Sequence, residues 1–331
     1  MSERSIRECN VCVVGGAGFL GSHLVDHLID GRKCSVLVID NLVAGRKEFI
    51  HPLAEFEHHD ITGSESHLLD LFKAYEIEYV MNYAAYPYIP VSFERPLHVS
   101  DVNAFGAMKV INAAQEAGVK GILQVSSAEI YGGYSHENGD TPGIKLDESS
   151  RVIPHSTYGA SKAFIDAWIQ VRTKEANTPC IALRLFNCVG ERETHPYVIP
   201  EIISQINAAS GLNVTVKLGN NSFRDFQYAG DSVRMAVELL EKGTFGEVYN
   251  MGSEDGIKIY DLAVMLGQIM GKKVTVEQDP SRVRPWEIWH LQSDNTKLYS
   301  VIETRPKVSL GEALRRTVTD FYNSDSKWSW Q

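Results

Sequence analysis

The stretch that most constrains the fold is a short apolar run that feeds a glycine turn and then a helix. Val11-Cys12-Val13-Val14 is the kind of uninterrupted run that forms a parallel strand buried on both faces. It leads into Gly15-Gly16-Ala17-Gly18-Phe19-Leu20-Gly21, after which Leu24, Val25, Leu28 and Ile29 recur at helical spacing. Strand, glycine turn and helix together form the setting of a dinucleotide fingerprint. The spacing here is G-x-x-G-x-x-G, at Gly15, Gly18 and Gly21. Glycines let the backbone approach a pyrophosphate, and the first N–H groups of the helix face the anion.

The rest of the first half continues the alternation. A second strand, Cys34 to Ile39, ends in Asp40-Asn41, about twenty residues beyond the glycines. An acidic side chain there accepts hydrogen bonds from the adenine-ribose hydroxyls and repels a 2′-phosphate, which favours NAD over NADP. A third strand, Glu55 to His59, ends in Asp60-Ile61, placed to touch the adenine. A helix from His67 to Tyr75 and a strand from Tyr79 to Met81 lead to Asn82-Tyr83-Ala84-Ala85, whose alanines let the nicotinamide half pass close to backbone. A long helix, Leu97 to Ala117, precedes a fifth strand, Ile122 to Val125, which carries Ser127 and Glu129 to the same edge. The expected fold is α/β, a Rossmann-like doubly wound parallel sheet.

In Ser156-Thr157-Tyr158-Gly159-Ala160-Ser161-Lys162, Tyr158 and Lys162 stand four residues apart and leave one face of a helix. An ammonium beside a phenol favours the phenolate. Bringing a tyrosine from about 10 to near 7 takes about 4 kcal/mol, which one lysine rarely supplies but a lysine plus a cationic nicotinamide ring could. The product is a general base for a sugar or alcohol hydroxyl. A net charge of −10 argues against a nucleic-acid backbone as the main partner. No apolar run approaches the ~20 residues of a membrane span, and the polar N-terminus has no signal-like apolar region, so a soluble, cytoplasmic protein is expected. Cys9-x-x-Cys12 lacks a second ligand pair, which points to buried, reduced thiols and no metal.

The glycine spacing, the Asp40-Asn41 and Asp60-Ile61 pairs and the set Ser127…Tyr158-x-x-x-Lys162 together resemble the extended short-chain dehydrogenase/reductase family. The likeness is to its NAD-dependent nucleotide-sugar epimerases and dehydratases. Later motifs extend it over nearly the whole chain. Phe186-Asn187-Cys188-Val189-Gly190 is similar to F-N-x-x-G, Arg224-Asp225-Phe226 to R-D-[FY], and Arg284-Pro285-Trp286-Glu287 to R-P-x-[DE]. The resemblance implies that NAD is held by Gly15, Gly18, Phe19, Leu20, Gly21, Asp40, Asn41, Asp60, Ile61, Ala84, Ala85, Asn103, Tyr158 and Lys162. It implies Tyr158 as the base at the sugar 4-hydroxyl, Ser127 as a second partner of that oxygen, and Lys162 on the nicotinamide ribose. Ser127, Asn187, Arg224, Arg284 and Glu287 would hold a nucleotide-diphosphate sugar, the arginine fork suiting phosphate oxygens. Hydride would pass from sugar carbon 4 to NAD⁺, giving a 4-keto intermediate.

Glu129 bears on the fate of that intermediate. In relatives that eliminate water across carbons 5 and 6, a glutamate two residues after the serine or threonine resembles this one and removes the carbon-5 proton. Those acting on dTDP-glucose carry Thr-Asp-Glu where this chain has Ser127-Ala128-Glu129, so the aspartate that protonates the departing hydroxyl is missing. Simple 4-epimerases usually have a small or apolar residue in place of the glutamate. The reading favours a 4,6-dehydratase type, with UDP-hexose-type 4-epimerisation next. UDP-glucuronate decarboxylation ranks third, because the Asn82–Tyr86 loop is unlike that of the decarboxylases, and a non-catalytic NAD(H)-binding regulator comes last. A UDP-sugar is favoured, with dTDP- and GDP-sugars as alternatives.

The helix from Tyr158 to Glu175 carries Phe164, Ile165, Trp168, Ile169 and Val171, more than one buried stripe holds. The resemblance implies a homodimer in which this helix and the Leu97–Ala117 helix form a four-helix bundle. A sixth strand, Cys180 to Leu185, and a returning strand, Val248 to Asn250, complete the sheet. The expected division is an NAD-binding domain of residues 1–186 plus about 226–252, and a smaller, discontinuous α/β substrate lobe of about 187–225 and 253–331.

Overall fold

The computed structural model of the chain describes residues 4–137, 144–194, 196–283 and 286–324. Arg284, expected at the substrate, lies outside them. The first half runs β1 (Asn10–Val14), α1 (Phe19–Asp26), β2 (Ser35–Asp40), β3 (Glu55–His58), α2 (Glu65–Ala74) and β4 (Tyr79–Asn82). Next come α3 (Ile89–Glu94), α4 (Pro96–Ser100), α5 (Ala107–Ala117) and β5 (Gly121–Ser127). The short α6 (Gly132–Glu137) is followed by α7 (Thr157–Ala176) and β6 (Cys180–Leu185). Beyond these lie β7 (Asn187–Val189), α8 (Val198–Ala208), β8 (Asn213–Leu218), β9 (Phe223–Tyr228), α9 (Ala229–Lys242) and β10 (Val248–Met251). The chain closes with β11 (Gly256–Lys258), α10 (Ile259–Ile269), β12 (Lys273–Gln278), β13 (His290–Leu291), α11 (Thr296–Tyr299) and α12 (Leu310–Asn323).

Seven strands form one sheet in the order β10-β6-β5-β4-β1-β2-β3, every neighbouring pair parallel. The order reverses beside β1, so a crevice lies between the carboxyl ends of β1 and β4. Helices cover both faces. Leu24 and Val25 of α1, and Leu28 in the π-helical turn after it, pack with Val233, Ala236, Val237 and Leu240 of α9 on one side. Leu68 and Phe72 of α2, Val110 and Ile111 of α5, and Ile165 and Ile169 of α7 fill the other. Burial on both faces is why the strands read as unbroken apolar runs.

A second group of strands stands apart, β11-β9-β13 with β7 also on β9, and β8 paired with β12. Its own core joins Ile199, Ile202 and Ile206 of α8 to Leu262 and Leu266 of α10 and Leu314 of α12. The single helix expected from Leu97 to Ala117 is instead α4 and α5 joined by a π-helical turn, Asp101–Gly106. Such turns recur at functional sites, and this one contains Asn103. The five cysteines are free, and Cys9 faces Cys34 across 3.8 Å rather than pairing with Cys12.

The glycine turn is fixed by close approach. Gly15 has φ +80°, and a Cβ on it would stand 2.6 Å from the Ala84 nitrogen. A Cβ on Gly21 would meet the Gly15 carbonyl oxygen at 2.0 Å. Gly118, which ends α5 at φ +79°, has open space around it. Alanine at either Gly21 or Gly118 is expected to destabilise the protein, by overpacking in the first case and backbone strain in the second, each about 1–2 kcal/mol in denaturant unfolding. Only Gly21→Ala should also weaken NAD binding, by about tenfold or more in calorimetric titration, about 1.4 kcal/mol.

Candidate active site

A cavity of about 940 Å³ runs along the carboxyl ends of the sheet and is lined by residues from both groups of strands. At its dinucleotide end, α1 starts at Phe19 with no side-chain cap and no acidic residue in its first turn. Its leading N–H groups, from Phe19, Leu20 and Gly21, are therefore left for an anion. Gly15, Gly18, Phe19, Leu20 and Gly21 all line the cavity there. Bare glycine backbone beside an uncapped helix start fits a pyrophosphate, so these residues are suited to NAD.

Asp40 closes this end. Its Oδ2 accepts the Ala17 N–H at 3.0 Å and its Oδ1 that of Leu42 at 2.8 Å. Burial pushes the carboxyl up, and the two N–H groups pull it back. Asn41 donates to Asp60 Oδ2 at 2.8 Å, while Asp60 Oδ1 takes the Thr62 N–H and hydroxyl. Burial raises Asp60, but these hydrogen bonds outweigh it and the carboxyl falls below its ordinary value. Asp40, Asn41, Asp60, Ile61, Ala84 and Ala85 all line the cavity. Asn103 is the exception among the expected cofactor residues. It is fully buried, its Oδ1 accepting the Tyr86 N–H at 2.7 Å and its Nδ2 donating to the Tyr86 carbonyl at 3.2 Å. It shapes the loop behind Ala84 and Ala85 and does not line the cavity.

At the centre, Ser156 caps α7 by accepting the Gly159 N–H at 3.0 Å, which sets Tyr158 and Lys162 on the first two turns. Lys162 donates to the Val125 carbonyl at 2.9 Å and sits 5.9 Å from the Tyr158 ring centre. Tyr158 and Lys162 are 8% and 1% exposed. Burial pushes the Tyr158 phenol up to about 12, with a hydrogen bond from Ser127 pulling it down and the Glu129 charge pushing it further up. Burial pulls Lys162 down to about 8, against the pull of Asp166. Within the protein itself, desolvation therefore outweighs the ammonium–phenol attraction that the i, i+4 spacing suggests. Ser127 Oγ also accepts the Glu129 N–H at 3.2 Å, so one short turn holds both residues beside Tyr158.

At the far end, Asn187 opens β7 and Arg224 lies on β9, both lining the cavity with Glu287. Arg224 Nη2 faces Glu287 Oε1 at 3.7 Å, and both side chains are almost fully buried. The described set thus converges except for Asn103. Two features escaped the sequence reading. Glu193 is a cavity-lining carboxyl only 3% exposed, raised well above its ordinary value by burial, with a backbone N–H from Gly190 in opposition. Nothing in its neighbours marks it. Asp166, paired with Arg184 at 2.8 Å, lies one turn past Lys162, and carrying the i, i+4 spacing one step on would have found it.

The family model for GDP-mannose 4,6 dehydratase matches residues 12–317. The chain is 28% identical over 329 residues to a mouse dTDP-D-glucose 4,6-dehydratase, covering 96% of this chain and 90% of that one. It is 27% identical to a UDP-glucose 4-epimerase of Streptococcus mutans, over 82% of this chain and 85% of the other. The Thermus thermophilus UDP-glucose 4-epimerase in complex with NAD superposes with a TM-score of 0.84 at 26% identity, over 95% of this chain and 99% of that one. The chain belongs to the GDP-mannose 4,6 dehydratase family and is an NAD-dependent enzyme of the epimerase and dehydratase type.

Proposed function

We propose that the enzyme converts a nucleotide-diphosphate sugar through a 4-keto intermediate and then eliminates water, as a 4,6-dehydratase type. The observation that carries this reading is Glu129, a carboxylate tied by its own N–H to Ser127 and electrostatically coupled to Tyr158 in one cavity. NAD, when bound, supplies the hydride acceptor and returns the hydride at the end. Tyr158 takes the proton of the sugar 4-hydroxyl, Ser127 holds that oxygen, and the Lys162 ammonium favours the phenolate. The ketone at carbon 4 acidifies carbon 5, and Glu129 removes that proton and gives it to the carbon-6 hydroxyl, which leaves as water. Asn187, Arg224, Glu287 and Arg284 hold the nucleotide diphosphate, with a UDP-sugar favoured over dTDP- and GDP-sugars.

A 4-epimerase is the second reading. It is favoured by Ala128, which offers no acid for a departing hydroxyl, and by likeness to proteins described as UDP-glucose 4-epimerases. We assign NAD binding to residues 1–186 and about 226–252, and the sugar nucleotide to about 187–225 and 253–331. A cytoplasmic location is proposed; no helix among the described residues is long and apolar enough to cross a membrane.

A homodimer is proposed from one exposed apolar face. Leu97 is 85% exposed, Phe105 53%, Phe164 44% and Val171 49%, and the Phe105 and Phe164 rings meet at 6.4 Å. These residues lie on α4, the π turn and α7, the helices expected to bundle with a second copy.

Glu129→Gln is expected to lower product formation at least about 100-fold while leaving NADH formation measurable at 340 nm. The assay is a panel of UDP-, dTDP- and GDP-sugars read by mass spectrometry and NMR. A loss of hydride transfer with carbon-5 exchange intact would refute the role given to Glu129. An isomer of unchanged mass from the wild-type protein would establish the epimerase reading instead. For the dimer, Phe164→Arg is expected to halve the mass seen in light scattering, while a wild-type protein that already runs as a monomer removes the proposal.

A further inference from the structure

Lys162 has a problem that its immediate contacts do not solve. Its one hydrogen-bond partner among the described residues is the Val125 carbonyl, a neutral acceptor. That contact brings no opposing charge to the side chain. A neutral amine cannot favour a phenolate at Tyr158. The nearest opposing charge is Asp166, four residues along α7, so that Tyr158, Lys162 and Asp166 follow one another on a single helix face.

Asp166 is only 2% exposed. Its Oδ2 accepts from Arg184 Nε on β6 at 2.8 Å. Burial raises the carboxyl, while Arg184, the Ser126 side chain on β5 and Lys162 each pull it down. Arg184 is held in turn, Nη1 donating to the Tyr131 hydroxyl at 2.7 Å, and that hydroxyl donating to Asn250 Oδ1 on β10 at 2.9 Å. Neither Asp166 nor Arg184 lines the large cavity. Both line a smaller one of about 360 Å³ beside α7.

We propose that Asp166 is a positioning residue for the proton chemistry. Its carboxylate, locked by Arg184, keeps Lys162 in the ammonium form that supports the Tyr158 phenolate. The inference rests on the roles given to Tyr158 and Lys162 above. The order of charges is ammonium, carboxylate, guanidinium, which leaves one net positive charge behind Tyr158. The groups that bear on this row are Tyr158 and Lys162 on α7, Cys180 and Arg184 on β6, Glu129 and Tyr131 after β5, Glu148 in the segment before α7, and Tyr197 before α8. Burial alone pushes Asp166 up, yet losing its charge would strand a buried guanidinium, so the pair stays ionised together. Removing the carboxylate charge places two cations in sequence without their counter-ion. Lys162 relieves that by releasing its proton at lower pH, and Tyr158 then ionises only at higher pH.

The test uses the full chain with NAD bound and needs no sugar. The Lys162 ¹³Cε resonance, assigned by its loss in Lys162→Met, is titrated by NMR. The Tyr158 phenolate is titrated at 295 nm as the difference from Tyr158→Phe. In Asp166→Asn the lysine midpoint is expected to fall by about one pH unit or more and the phenolate midpoint to rise, a tenfold change in each equilibrium. Asp166→Glu, which keeps the charge, should restore both midpoints. If Asp166→Asn does not fold, Asp166→Leu is read in the same way. Midpoints that stay at wild-type values in a folded variant overturn the proposal and leave Asp166 as a purely structural partner of Arg184. Failure of the dehydratase reading is decided by product analysis alone, so the two failures are distinguishable.

Discussion

Burial opposes charge on both members of the Tyr158–Lys162 pair, and much of the surrounding structure answers that opposition. Desolvation drives the phenol up and the ammonium down, each toward its neutral form. A site that does proton chemistry near neutral pH has to reverse both shifts. Ser127 does part of this at the phenol through a hydrogen bond, and Asp166 does part at the lysine through its charge. The cationic ring of NAD, when bound, would add to the pull on the phenol. Within the protein alone the phenol is therefore held in its neutral form.

The sheet is what lets these groups meet. Parallel order places every carboxyl end on one edge, and the reversal beside β1 opens the crevice there. From β1 comes the glycine turn, from β2 Asp40, from β4 the Ala84-Ala85 loop, and from β5 both Ser127 and the carbonyl that receives Lys162. The π turn before α5 serves the same edge indirectly. It carries Asn103 to the Tyr86 backbone, where both ends of the amide are used, so the loop bordering the cavity is held by a residue outside it. Asn103 thus matters to the cofactor region through the shape of that loop.

Legibility in the sequence divides along simple physical lines. β1, β2, β4 and β5 were legible because burial on both faces forces unbroken apolar runs, and the glycine turn because its contacts exclude a Cβ. The Tyr158–Lys162 pair was legible because helical spacing fixes which side chains share a face. Their ionisation was not, since desolvation depends on what the rest of the chain packs around them. The interruption of the Leu97–Ala117 helix was hidden because one extra residue per turn barely disturbs an apolar pattern. The partner of Asp166 sits on another element altogether, and Glu193 is defined only by the cavity wall it joins.

The substrate end shows how one motif can do two jobs. Arg224 lines the cavity, while Asp225 beside it is fully buried and accepts the Ser253, Glu254 and Ser293 N–H groups. That carboxylate fastens β9 to the turn after β10 and to the segment after β13 at Ser293, so the arginine is carried on a fixed strand. A similar constraint acts at the centre of the cavity. Ala128 is 2% exposed and packs in an apolar cluster with Ile130, Tyr131 and Phe186. Ala128 also lines the cavity, between Ser127 and Glu129. The residue on either side of it, Ser127 or Glu129, is held to the cavity by one hydrogen bond between them. The turn therefore presents a carboxylate at position 129 and only a methyl group at position 128, and the dehydratase and epimerase readings proposed above part at these adjoining residues.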